Sequence, residues 1–175
     1  MAEGMDFDSL VGRYYEPLYQ FAFSLTRDEA DACDLVQEAF CIWANKGHQL
    51  RDMSKVKSWL FTTLHREFLE MQRRKTRFPH YELDEVAHEL PNIEPELVNR
   101  LDSSAVLSLL AQVDPIFQAP VALFYLEDYP YKEIAEILTI PMGTVKSRIA
   151  RGIAQLQAIL AKSADATGGL RKPTA

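Results

Sequence analysis

The sequence predicts an all-α protein: two small helical domains joined by an acidic linker, the C-terminal one a helix-turn-helix. Three observations carry this expectation. Apolar residues recur at steps of three and four through both halves, no stretch shows the alternation of a half-buried strand, and acids and prolines concentrate in residues 80–103. The 175 residues, 47% hydrophobic and 25% charged, have ordinary globular composition and fit one domain or two small ones.

The elements follow in order. Leu10, Tyr14, Leu18, Phe21 and Leu25 mark one helical run from Phe7 to Thr26, and Pro17 inside it predicts a kink or a break. Asp28 is suited to cap a second helix, with Glu29 and Asp31 in its first turn. That helix carries Ala32, Leu35, Val36, Ala39, Phe40 and Trp43 on one stripe and ends near Asn45, with Gly47 as its stop. Ser54 is the expected cap of a third helix through about Arg77, with Val56, Trp59, Leu60, Thr63, Leu64 and Phe68 inward and Arg73, Arg74, Lys75 and Arg77 at its end. Residues 80–103 hold Pro91, Pro95 and one base, Arg100, among seven acids, which marks a boundary. Four shorter helical patterns follow: around Val106 to Leu110, Phe117 to Leu126, Tyr131 to Leu138, and Met142 to about Lys162. Residues 163–175 are expected to be a disordered tail.

Composition excludes several classes. Met1 to Leu10 has no basic stretch and no apolar core of the signal-peptide kind, and no apolar run reaches membrane-helix length. Cys33 and Cys41 form no Cys-x-x-Cys, and the four histidines are scattered, so no metal or cofactor is expected. Gly-rich phosphate loops and the common hydrolase motifs are missing, which argues against an enzyme. A soluble cytoplasmic protein without membrane insertion is the expectation.

The net charge of −6 argues against a generally basic nucleic-acid coat, but its order along the chain matters more. Residues 1–55 carry −5, 56–80 carry +4, 81–104 carry −6, 105–140 carry −4, 141–162 carry +4 and 163–175 carry +1. Two basic helices thus stand in an acidic chain. In the second of them, Ile134, Ala135 and Leu138 form the inward face of a first helix, Ile140 lies under the turn, and Pro141 opens the next helix. Val145 and Ile149 point inward. Thr144, Lys146, Ser147, Arg148 and Arg151 are left on the outer faces, with donors suited to phosphates and base edges.

The string Y-K-E-I-A-E-I-L-T-I-P-M-G-T-V-K-S-R, Tyr131 to Arg148, resembles the promoter-binding C-terminal domain of bacterial RNA polymerase sigma factors, in particular the extracytoplasmic-function (ECF) subfamily. Asp31-Ala-Cys-Asp-Leu-Val-Gln-Glu-Ala-Phe40 and Ser58-Trp-Leu-Phe61 resemble that family's N-terminal motifs, so the likeness covers about Phe7–Arg77 and Ala105–Leu160. The resemblance implies a non-enzymatic factor that binds core RNA polymerase (β′ coiled coil and β subunit) and directs promoter-specific initiation. It implies polymerase contacts at Asp34, Gln37 and Glu38. It implies minus-ten recognition and melting by residues 1–79 through Gly47–Lys55, Lys57, Arg66, Arg73, Arg74 and Arg77, with Lys55 in that loop and Trp59 and Phe61 as candidate base-stacking rings. Residues 104–162 would read the minus-thirty-five element of promoter DNA through Thr144, Lys146, Ser147, Arg148 and Arg151. An anti-sigma factor or other regulator is an expected partner.

Two departures stand out. Cys33 replaces an acid usual in the family, and Thr139 stands where the turn often has glycine. A conventional helix-turn-helix regulator is the nearest alternative, and the Asp34-to-Glu38 motif argues against it. A helical adaptor is the other, and the basic outer face of residues 144–151 argues against that.

Overall fold

The computed structural model describes residues 6–76 and 103–168; Arg77 and the expected acidic linker lie outside the described residues. Seven helices follow one another: α1 (Phe7–Thr26), α2 (Glu29–Lys46), α3 (Val56–Lys75), α4 (Ser103–Leu110), α5 (Pro115–Tyr125), α6 (Tyr131–Leu138) and α7 (Met142–Gly168). No strand occurs among the described residues.

Local chemistry explains most ends. Asp6 accepts from the Asp8 amide at 3.0 Å to open α1, and Asp28 accepts from the Asp31 amide at 2.9 Å to open α2. Helix α1 runs through Pro17 without a break; its last turn closes at Arg27, which takes a left-handed conformation (φ 57°). The expected cap of α3 needs correction. The residue before α3 is Lys55, which makes no side-chain cap. Asp52 caps instead the 3-10 turn (Met53–Lys55) that leads into α3, accepting from the Ser54 amide at 3.0 Å and from the Ser54 hydroxyl at 2.6 Å, so the Ser54 hydroxyl is committed to Asp52.

Gly47 also acts differently from expectation. Its φ is −58°, so no left-handed stop is made. A Cβ there would lie 2.6 Å from the Trp43 ring, and glycine is present because the indole lies flat against the backbone. Pro141 precedes α7 rather than starting it, its carbonyl accepting from the Val145 amide at 3.1 Å. The expected tail begins too early: α7 continues to Gly168. Ser163 to Thr167 contain no proline or glycine, so nothing ends the helix before Gly168.

The two halves share one apolar core, from Leu10 on α1 to Leu156 on α7. Helix α1 packs on α2, α3, α4 and α5; α3 packs on α6; α5 packs on α7. Gly152 on α7 is the closest approach in the C-terminal half: a Cβ would meet Val121 Cγ2 at 2.5 Å and Phe117 Cβ at 3.1 Å. Gln118, fully buried, donates to the carbonyls of Leu110 (2.9 Å) and Val113 (3.0 Å), tying the α4–α5 corner shut.

Two substitutions test these readings by urea unfolding. Gly152→Ala should lower stability by roughly 1–2 kcal/mol, because overpacking against the β-branched Val121 outweighs the helix propensity gained. Thr139, a β-branched residue at φ 56° and ψ 47°, is strained, so Thr139→Gly should raise stability by about 1 kcal/mol.

Candidate polymerase and nucleic-acid interfaces

The acidic motif of α2 has a geometric consequence. Leu35, Val36 and Ala39 are buried against α1 and α3, and the same helical period leaves Asp34, Gln37 and Glu38 exposed together on the opposite side. Asp31, on the same helix, pairs with Lys75 at the end of α3, which couples the acidic helix to the basic end of its neighbour.

The basic residues of the N-terminal half divide into three groups. Lys55 and Arg66 are exposed. Arg73 and Arg74 are also exposed and share Glu70, at 3.3 and 3.9 Å, contacts that screening leaves weak. Lys57 is different: its ammonium is 2.9 Å from Glu127 of the C-terminal half and lies 5.0 Å from the Tyr129 ring centre.

The aromatic candidates separate as well. Phe61 is fully buried, tilted against Phe21 at 5.3 Å and edge-on to Tyr129 at 5.8 Å, and is unavailable for base stacking in this arrangement. Phe61 lies beside the inward stripe marked by Leu60 and Leu64; the C-terminal half buries a second face of α3 that periodicity within one domain does not show. Trp59 is half-buried and meets Trp43 edge-on at 5.1 Å. Its free side lines a cleft of about 430 Å³ together with Ile42, Lys46, Leu50 and Arg66, beside the loop at Gly47–Lys55. Leu50 belongs to the expected loop, whereas Ile42 and Lys46, on α2, were not among the expected site residues; their part depends on how α2 packs beside α3, which spacing cannot reveal.

In the C-terminal half, α6 and α7 form the expected helix-turn-helix. Ile134, Ile137, Leu138, Val145 and Ile149 are buried between the helices. Lys146 is exposed, with its ammonium 5.9 Å from the Tyr131 ring centre. Thr144, Ser147, Arg148 and Arg151 are half-buried rather than fully outward, and the Ser147 hydroxyl donates to the Thr144 carbonyl at 3.1 Å. Burial lowers the Arg148 pKa, and the guanidinium is close enough to His65 of α3 to disfavour the imidazolium there. No helix among the described residues is long and apolar enough to cross a membrane.

His65 makes a pH prediction. Burial first, and the Arg148 charge second, push its pKa down from 6.5 to about 4. The unfolded chain therefore takes up a proton below pH 6.5 that the folded chain refuses until about pH 4. Stability should fall across that window by up to roughly 3 kcal/mol and then level. Denaturant melts from pH 7 to 4 check this, and His65→Leu should remove that part of the slope.

Comparison with known proteins supplies the family. Residues 10–78 match the model of sigma-70 region 2, and residues 103–156 match sigma-70 region 4. The ECF RNA polymerase sigma factor SigE of Mycolicibacterium smegmatis is 36% identical over 167 residues, covering 91% of this chain; the chain spans 63% of that relative's length. SigW of Bacillus subtilis, also an ECF sigma factor, is 31% identical over 160 residues, covering 83% of this chain and 84% of the relative. Among solved structures, the sigma factor RpoE of Bartonella quintana in complex with the anti-sigma factor NepR aligns with a TM-score of 0.69 at 29% identity, covering 90% of this chain and 98% of that one. With both regions in order and relatives matched over most of its length, the chain belongs to the ECF sigma factors, the initiation factors that direct RNA polymerase to specific promoters.

Proposed function

We propose that this chain docks on core RNA polymerase through the exposed face of α2 and divides promoter reading between its halves. Asp34, Gln37 and Glu38 meet the polymerase β′ coiled coil, where an acidic row suits a basic surface. Residues 1–79 recognise and melt the minus-ten element. Lys55, Lys57, Arg66, Arg73, Arg74 and Arg77 face the nucleic-acid backbone, and the Trp59 cleft is the surface on which an unstacked base rests. Residues 80–103 connect the halves. Residues 104–162 read the minus-thirty-five element through Thr144, Lys146, Ser147, Arg148 and Arg151. The reading places the protein in the cytoplasm, with polymerase and chromosome, and requires no cofactor.

The observation that carries this reading is the separation of signs. The exposed acidic row of α2 and the exposed cations of α3 and α7 stand on different helices of one chain, as suits an adaptor between a basic protein and DNA. The Bartonella relative was solved with an anti-sigma factor, and the same class of regulator is proposed for this chain. Tethering two modest DNA contacts to one polymerase makes the second contact intramolecular, so neither half needs high affinity alone.

Run-off transcription with purified core polymerase, on templates selected from random promoter sequences, tests the proposal; a folded chain that yields no initiation above core alone would sink it. Asp34→Lys should weaken polymerase binding at least about tenfold while leaving the helical signal unchanged, since the side chain is exposed. Arg148→Ala should reduce promoter use roughly 5- to 100-fold and spare polymerase binding.

A further inference from the structure

We propose that Gly143 is a positioning residue for promoter reading: it keeps the leading turn of α7 bare, so that the helix backbone seats against the floor of the duplex major groove at the minus-thirty-five element. The inference rests on the assignment of that element to residues 104–162 proposed above.

The fold of the chain does not itself require a glycine here. Gly143 is the second residue of α7. Glycine gives up more backbone freedom than alanine on entering a helix, so it weakens the helix it joins. Gly47 and Gly152 have internal reasons, the Trp43 ring for the first and Val121 with Phe117 for the second. Gly143 has no such reason. A Cβ there would meet no atom within 4 Å, and no glycine among the described residues takes a positive φ. The position is exposed, so the space above it is free for a partner's surface.

The place of Gly143 on the helix says which partner. Gly143, Ser147 and Arg151 follow one another at steps of four, on the side of α7 away from the buried Val145 and Ile149. The Ser147 hydroxyl is folded back on its own helix, donating to the Thr144 carbonyl at 3.1 Å. The outer surface from 143 to 147 is therefore close to bare backbone. It is flanked by Lys146, whose ammonium lies 5.9 Å from the Tyr131 ring centre, and by the half-buried Arg151.

Magnitudes make the bareness matter. A helix with its side chains is about 10–12 Å across, and the major groove of B-DNA is about 12 Å wide. The fit leaves little slack, and the first turns of a recognition helix are the ones that meet base edges. A side chain on the leading turn is subtracted from the depth the helix reaches, and Lys146 and Arg151 are withdrawn from the duplex with it. Gly12 of α1 is equally open, but no residue proposed to touch DNA shares its helix, so it supplies the comparison.

The test uses the full chain with core polymerase. The probes are a fluorescent duplex carrying a promoter selected from random sequences, and the same duplex with its minus-thirty-five element scrambled. Anisotropy gives the preference for the intact duplex, and urea unfolding gives the midpoint of each chain. Gly143→Ala should raise the urea midpoint, since the added methyl meets open space, and should lower the preference about tenfold, the size of one lost base contact. Gly143→Leu should lower the preference further without lowering the midpoint. Gly12→Ala should raise the midpoint and keep the wild-type preference. A Gly143→Ala chain with wild-type preference would overturn the proposal. So would a lost preference accompanied by a lowered midpoint, which marks a glycine needed by the fold, or an equal loss in Gly12→Ala. A wild-type chain that does not distinguish the two duplexes would put the minus-thirty-five assignment itself at fault, and the proposal would fall with it.

Discussion

Everything in this molecule turns on α3, which must be apolar on two sides and basic along its length. One side, Val56, Leu60 and Leu64, completes the N-terminal core against α1 and α2. The other, Phe61 with Lys57, receives Tyr129 and Glu127 from the C-terminal half. A helix facing solvent needs one apolar stripe of about a third of its circumference. Burying Phe61 as well widens that stripe until the half-buried Lys57 is the only cation of the helix held in the interface. The contact between the halves is stabilised by apolar burial, at roughly 25 cal/mol per Å², and given its register by a few polar contacts, Lys57 with Glu127, Arg27 with the Val113 carbonyl and Ser58 with Glu133.

The acidic balance of the chain acquires a physical role in this picture. Glu127 and Glu133, in an acidic segment following the connection, face Lys57 and Ser58 across the interface. Glu127 neutralises Lys57 there, while Glu133 accepts from the Ser58 hydroxyl. The acids of α2 face the other way, toward solvent, where polymerase is proposed to bind. One net charge of −6 therefore combines groups in different settings: exposed acids on α2, where polymerase is proposed to bind, and a withdrawn carboxylate, Glu127, paired with Lys57 between the halves.

Much of this was legible in the sequence because it is local. Helix periodicity located every described helix, the Asp28 cap followed from its place before an acidic turn, and the inward positions Val145 and Ile149 followed from the helix-turn-helix spacing. The unread features are those that depend on the exact local turn or on a partner distant in the chain. Ser54 does not cap α3 because a 3-10 turn, capped by Asp52, intervenes. Gly47 answered to the Trp43 ring rather than to backbone conformation. Phe61 looked available for stacking because its covering group, Tyr129, lies 68 residues further along. Thr139 was legible in kind: a position that disfavours Thr was recognised, and the left-handed backbone is present. The closure of the two halves had no signature at all, since an ion pair such as Lys57 with Glu127 is indistinguishable in sequence from two solvated charges.

The central claim is that one chain bridges polymerase and promoter through separate helices, the acidic row of α2 and the basic residues of α3 and α7. Fluorescence anisotropy of a labelled promoter duplex, titrated with the chain, with core polymerase and with both together, measures it directly. The account predicts specific binding only when both are present, and its loss with the Asp34→Lys chain although that residue is assigned no contact with DNA. Specific binding by core polymerase with the Asp34→Lys chain at the wild-type level, or no specific binding with both wild-type components, would contradict it.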